Sequence, residues 1–237
     1  ECRSDNKRVE ILKKLPCFLP IFVALSSSSA FFQNEDTGLQ SYRTFLFEGM
    51  PISGMPKGFN TLEEYDALMD DFFNIGFIND AGNIYWHVRL GNHLPTIETR
   101  VSDSCPRVQD SVALTSLLSS LILTLVEQEP TQEALPFYTQ NAAYIDYYLW
   151  QTRRYSAKKV NFFDFNHKEK LPLAQALDHL LTFVMPVAKK LNCVEQLEQL
   201  TNIVEQGSSS DRQRAAYFKN KSIDDVCELL IKETNTL

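Results

Sequence analysis

The stretch Ile84-Tyr85-Trp86-His87-Val88-Arg89-Leu90-Gly91-Asn92-His93-Leu94-Pro95-Thr96-Ile97-Glu98-Thr99-Arg100-Val101-Ser102 decides the fold. Apolar and polar side chains alternate over 84–90 and again over 96–102, and residues 91–95 between them have turn composition. This pattern predicts two antiparallel strands. Successive strand side chains point to opposite faces, so Ile84, Trp86, Val88 and Leu90 share an apolar face with Ile97 and Val101. Tyr85, His87, Arg89, Glu98, Arg100 and Ser102 share the polar face, with Asp103 just beyond the second strand.

That polar face carries a chemical possibility. Two planar guanidiniums suit phosphate or carboxylate, and a carboxylate between them is a hard oxygen ligand for magnesium. Phosphoryl transfer uses such equipment, because positioning and charge neutralisation supply most of its catalysis. The plain alternative is a solvated sheet face whose cross-strand charge pairs contribute roughly 0.2 to 1 kcal/mol each.

Upstream of the hairpin, Val9, Leu12 and Leu15 keep helical spacing over about 3–24, with interruptions expected at Pro16 and Pro20. Lys13 and Lys14 before the apolar run Leu15 to Leu25, followed by Ser26 to Ala30, imitate a secretory leader. The run is shorter than the roughly 20 apolar residues that span a bilayer, and it holds two prolines; a buried element entering a serine-rich turn is the better expectation. Residues 31–60 are rich in Gly, Pro, Asn and Asp and read as a long irregular stretch. Thr61 and Glu64 have capping-box spacing, opening a helix to about Asn74 whose core face is expected to be Leu62, Tyr65, Leu68, Phe72 and Phe73. Everything after Pro106 reads as helix: 108–128, 132–154, 173–191, 194–206, 211–219 and 223–233. The fold class is α+β, an antiparallel sheet packed with a mostly helical C-terminal half.

The 237 residues carry 23 Lys and Arg against 30 Asp and Glu, a net charge of -7, with 44% hydrophobic content. This balance fits an ordinary globular domain and provides no basic face for nucleic acid. Five scattered cysteines without CxxC or zinc spacing read as reduced thiols of a cytoplasmic protein. Neither nucleic acid nor a membrane is expected as a partner.

Taken in order, Leu25-Ser26-Ser27-Ser28-Ser29, Asp36-Thr37-Gly38, Ser41-Tyr42-Arg43, Trp86-His87-Val88-Arg89, Thr96-Ile97-Glu98-Thr99-Arg100-Val101 and Asp103 form a distinctive series. Arg154-Tyr155, Gly207 and Asp211-Arg212-Gln213-Arg214 continue it. The series resembles the bacterial and plant glutamate-cysteine ligases and their carboxylate-amine ligase relatives. The resemblance implies a glutamine-synthetase-like antiparallel sheet, present in part, in a single C-terminal portion of a catalytic domain: sheet and active-site loops over 1–105, helices over 106–237. It implies ATP and Mg2+, small-molecule substrates (a glutamate-like acid and an amine such as that of cysteine), glutathione-type biosynthesis and a possible homo-oligomer. Carried over by position, Glu98 is a magnesium ligand and Arg100 holds the transferred phosphoryl group. Arg43 and Arg89 orient carboxylate or phosphate, and Asp103 joins Arg89 and Arg100 at the nucleotide.

Ala30, Asn34, His87 and Ser156 depart from the usual pattern, which has Pro, Gly, Asp and Gly there. Family members also carry an N-terminal half with metal-binding glutamates and paired histidines, which is not in this sequence. A catalytically silent binding or regulatory form of the same fold is therefore the competing expectation. A helical scaffold using the aromatic segment Tyr138 to Trp150 is a third.

Overall fold

The computed structural model describes residues 4–91 and 94–235. The chain opens with α1 (Asp5–Lys14), a 3-10 turn (Leu15–Cys17) and α2 (Leu19–Ser26). Pro16 and Pro20 stand in the first turns of the latter two, where a missing N–H costs nothing because no intrahelical acceptor awaits it. All eight residues of α2 are buried, so the leader-like run is a core helix, apolar on every side because protein surrounds it.

Two short strands, β1 (Phe31–Phe32) and β2 (Glu35–Asp36), form a tight hairpin, followed by α3 (Tyr42–Glu48), β3 (Ser53–Gly54) and α4 (Leu62–Asn74). Asn34 takes φ +68, in the left-handed region that Asn tolerates better than most non-glycine residues. Thr61 accepts the N–H of Glu64 as the capping spacing predicts, but the Glu64 carboxylate accepts the N–H of Asn60, one residue upstream. On α4, Tyr65 and Met69 are buried; Phe73, expected in the core, is 43% exposed because the helix packs only one narrow stripe.

The deciding stretch forms β4 (Tyr85–Trp86), β5 (Val88–Leu90) and β6 (Ile97–Thr99). The two expected strands are shorter than predicted, and the first is divided at His87. Its front part pairs in parallel with β3, while its back part pairs antiparallel with β6 in the register Val88↔Thr99, Arg89↔Glu98 and Leu90↔Ile97. The change of partner occurs at His87, whose N–H donates to the Gly54 carbonyl (2.7 Å) and whose carbonyl accepts the N–H of Arg100 (2.8 Å). Of the predicted turn, Asn92 and His93 lie outside the described residues. Gly91 closes it by donating its N–H to the Thr96 carbonyl, and a Cβ there would stand 2.4 Å from Thr96 Oγ1.

The remainder is α5 (Val108–Glu127), α6 (Ala142–Arg154), the hairpin β7 (Asn161–Asp164) with β8 (Glu169–Pro172), and α7 (Leu173–Lys190), α8 (Val194–Gln206), α9 (Ser209–Asn220) and α10 (Ile223–Thr234). Two expectations are corrected here. The region after Pro106 is not all helix, and the helix expected from 132 begins ten residues later, where Asn141 caps it by accepting the Ala143 N–H. α5 is long and apolar enough to cross a membrane, but it buries Ala113, Leu117, Leu121 and Leu125 and packs on α7 and α8. One core runs from α1 and α2 through α5 to α8, with Trp86 and Val88 of the hairpin buried in it.

Candidate functional site

The hairpin places Arg89 directly opposite Glu98, and the two side chains pair in bidentate fashion. Arg89 Nε donates to Glu98 Oε2 at 2.9 Å and Nη2 to Oε1 at 3.2 Å. Arg89 Nη1 donates to the carbonyls of Ala81, Gly82 and Ile84 at 3.0–3.1 Å. Arg89 is thus buried and fully committed, a post that fixes the Glu98 carboxylate rather than a free anion receptor. Glu98 is less buried and also faces Arg100, whose Nη1 lies 3.5 Å from Oε1. The Arg100 guanidinium leans over the Tyr85 ring at 5.6 Å.

Asp103 is buried and serves the serine run. Its Oδ2 accepts the Ser28 N–H (2.8 Å) and the Ser29 hydroxyl (2.7 Å), and its Oδ1 accepts the Ser41 hydroxyl (2.8 Å). Its own N–H donates to Ser26 Oγ. The predicted nucleotide contact is therefore, within this chain, an organiser of the loop. The Ser29 hydroxyl in turn accepts the N–H of Arg43.

Arg43 donates Nη2 to the Arg100 carbonyl at 3.0 Å and lies 4.4 Å over the Phe47 ring. Burial lowers its pKa, Asp103 opposes that shift, and Arg100 adds to it. His87 is 2% exposed, and its Nε2 has no hydrogen-bond partner. Burial, then the neighbouring Arg153 and Arg43, push its pKa down to about 4. Arg153 pairs with Glu48, and its carbonyl accepts the N–H groups of Gln40 and Ser41.

The late segment 207–214 closes over this face. Ser210 N–H donates to the Ser27 carbonyl (3.0 Å), Gln213 Nε2 to the Ser28 carbonyl (2.8 Å), and Ser28 Oγ to Ser209 Oγ (3.0 Å). Arg214 grips Asp36 through Nε and Nη2 and holds that carboxyl below its usual range. Asp211 accepts from Gln40 Nε2, Ser156 Oγ and the Ser208 N–H, each at 3.0 Å. Gly207 makes the entry possible. Its φ is +99, and a Cβ would sit 2.8 Å from that of Asp211.

Most segments of the series read from the sequence thus meet in one polar network; the Arg154 guanidinium lies instead 6.0 Å from the centroid of the adjacent Tyr155 ring. Sequence reasoning missed Gln40, Arg153 and Ser208 to Ser210 as members of it. The two serine clusters were the available signal: small hydroxyl residues repeated at two places can bond each other.

The donor set itself tests the fit for magnesium. Glu98 offers one half-exposed carboxylate, and magnesium commonly takes one or two carboxylates with the remaining positions filled by water and phosphate oxygens. Among the described residues the one group of three possible ligands with metal-compatible spacing is Asp164, His167 and Glu169 of the β7–β8 hairpin, which does not include Glu98.

Comparison with known proteins follows the same line. Residues 1–229 match the profile of Glutamate-cysteine ligase family 2 (GCS2). The chain is 33% identical over 214 residues to a Jannaschia protein named "Putative glutamate--cysteine ligase 2", covering 90% of this chain and 56% of that one. It is 33% identical over 235 residues to a Frankia alni protein named "Putative glutamate--cysteine ligase 2-2", covering 99% of this chain and 61% of that one. The chain therefore spans little more than half the length of these relatives. Its fold matches the crystal structure of Francisella tularensis glutamate–cysteine ligase in complex with AMP, with a TM-score of 0.62 over 98% of this chain and 59% of the other, at 12% identity. By the profile match over nearly its whole length, this chain belongs to glutamate–cysteine ligase family 2.

Proposed function

We propose that this chain supplies one wall of the active site of an ATP-dependent carboxylate-amine ligase, which joins a glutamate-like γ-carboxylate to an amine. In this reading an oxygen of the γ-carboxylate attacks the terminal phosphorus of ATP and ADP leaves. The amine nitrogen then attacks the acyl carbon, inorganic phosphate departs, and the nitrogen gives up a proton. Glu98 would be among the ligands of magnesium, which when bound would supply charge neutralisation at the ATP phosphates. Arg100 faces the transferred phosphoryl group and Arg43 orients a carboxylate. Arg89 holds Glu98 in place, and Asp103 holds the serine loop, whose Ser29 hydroxyl accepts the N–H of Arg43.

The observation that carries this reading is the Glu98 carboxylate fixed between Arg89 and Arg100 on one strand-pair face. The AMP bound to the Francisella tularensis relative in fold supports adenine-nucleotide use. On the same reading the antiparallel β5–β6 pair belongs to a larger sheet of the glutamine-synthetase type. Cysteine is one candidate amine.

The test is phosphate release from ATP by the full-length protein against a panel of amino acids and amines. Arg100→Ala is the decisive variant, since that side chain is partly exposed and holds no buried charge in place. Loss of ATP-dependent phosphate release with an unchanged melting temperature is expected; full activity in Arg100→Ala refutes the assignment.

A further inference from the structure

Two groups beside this face lack a full set of protein partners. The first is the Arg43 guanidinium, half-buried and without a carboxylate in ion-pair distance among the described residues. The second is His87 Nε2, enclosed and without any hydrogen-bond partner. They belong to one locality, because Arg43 acts electrostatically on His87 and donates to the carbonyl of Arg100, whose own N–H bonds the His87 carbonyl.

Nearby carboxylates are already committed. Asp103 serves Ser28, Ser29 and Ser41, Glu48 pairs with Arg153, and Glu98 lies between Arg89 and Arg100. Four guanidiniums thus share three carboxylates, which leaves one positive charge in excess across the group, and among the described residues Arg43 has only the through-space charge of Asp103 and no ion pair of its own. A buried polar nitrogen left unpaired is costly, and native proteins rarely retain one without a ligand, ion or water to meet it. A cation is disfavoured there by Arg43 and Arg153. A neutral molecule would leave the surplus charge in place.

We propose that His87 Nε2–H and the Arg43 guanidinium together receive one oxyanion of the reactants, a carboxylate or a phosphate group, making His87 a specificity-determining contact of the site. The inference rests on the ligase reading above and names a further residue of that site. A neutral imidazole suits the role: with the proton on Nε2 it donates one directed hydrogen bond while Arg43 supplies the charge. The burial that depresses its basicity keeps it neutral near pH 7.

The chain has four histidines, so side-chain nitrogen-15 labelling of histidine gives a spectrum simple enough to follow one ring. The His87 signals are assigned by their loss in His87→Gln. Inorganic phosphate and glutarate are titrated separately at pH 7 in an anion-poor buffer. The His87 Nε2 resonance is expected to move saturably with at least one of them while the other histidines stay still. Calorimetry is expected to show binding of that anion weakened at least tenfold in His87→Phe, with much of it restored in His87→Gln, whose amide can donate. A response to phosphate alone identifies a phosphoryl subsite, to glutarate alone the acid subsite, and to both a shared oxyanion subsite; each supports the proposal. An unmoved Nε2 signal in both arms overturns it, and should His87→Phe not fold, the titration of the unaltered chain decides alone. Anion binding without ATP-dependent phosphate release would sink the ligase reading and keep the subsite. Phosphate release with a silent His87 would do the reverse.

Discussion

Moving the protein from pH 7 to pH 5 asks the interior to accept a charge at His87. An exposed histidine titrates near 6.5, whereas His87 is held to about 4 by burial first and by Arg153 and Arg43 second. In the unfolded chain the ring takes up its proton as pH falls through 6.5; in the folded chain it resists until about 4. The unfolded state binds more protons across that window, so stability is complete above pH 6.5 and is lost as pH falls toward 4. The difference of about 2.5 units, at about 1.36 kcal/mol each, amounts to about 3 kcal/mol over the whole window, of which about 2 kcal/mol is lost by pH 5. At roughly 2–4 °C per kcal/mol for a chain of this size, the melting temperature falls by about 4–8 °C from this residue alone. Other groups titrate too, so the measurement is a difference: urea unfolding of the wild type and of His87→Gln at both pH values, without phosphate or carboxylate buffers. The wild type should lose about 2 kcal/mol more than the variant. Equal losses in the two proteins would show that His87 is not buried in a cationic surrounding, and the electrostatic picture of the site would fall with it.

Other perturbations probe the remaining contacts. Glu98→Ala removes the counter-ion of the enclosed Arg89 and should cost about 1–3 kcal/mol in urea unfolding, less than a fully buried pair because Glu98 is itself half exposed; Glu98→Gln, which keeps the hydrogen bonds, should cost less than half as much. Asp103→Ala strands the Ser28 N–H and two serine hydroxyls and is expected to lower stability by about 2–4 kcal/mol, with faster amide exchange at Ser28; an unchanged exchange rate would count against the organising role. Gly207→Ala places a Cβ against Asp211 at a positive φ and should destabilise by about 1–3 kcal/mol by thermal unfolding, whereas Gly76→Ala, with φ +72 but open space around it, should cost no more than about 1 kcal/mol.

The opposition of Arg89 and Glu98 was legible because a strict two-residue rhythm on either side of a short turn fixes which side chains share a face. The division of the first strand at His87 was not legible. It depends on β3, two residues inside a Gly- and Pro-rich stretch that carries no strand signal of its own. The β7–β8 hairpin escaped for a related reason: its turn has neither Gly nor Pro, and Lys168 adopts φ +59 with Asp164 Oδ1 accepting the N–H groups of Asn166 and His167. Leu62 to Phe73 was read as a wide apolar face because periodicity reports which residues could be buried, not how much partner surface is available. In the candidate site, the strand rhythm announced Glu98 and Arg100, and the family resemblance added Arg43. The commitment of Arg89 to three carbonyls and the isolation of His87 Nε2 are tertiary facts with no local signature.

The bond between Ser28 and Ser209 joins positions 181 residues apart in the chain. Closure of so long a loop carries a large entropic cost before any contact rewards it, which places the event late in folding. During synthesis the serine-rich turn must wait, solvated, until residues 207–214 have left the ribosome. A nascent chain arrested before residue 207 should hold its N-terminal helices while the Ser26–Ser29 amides still exchange freely, and release of the final helices should protect them in one step.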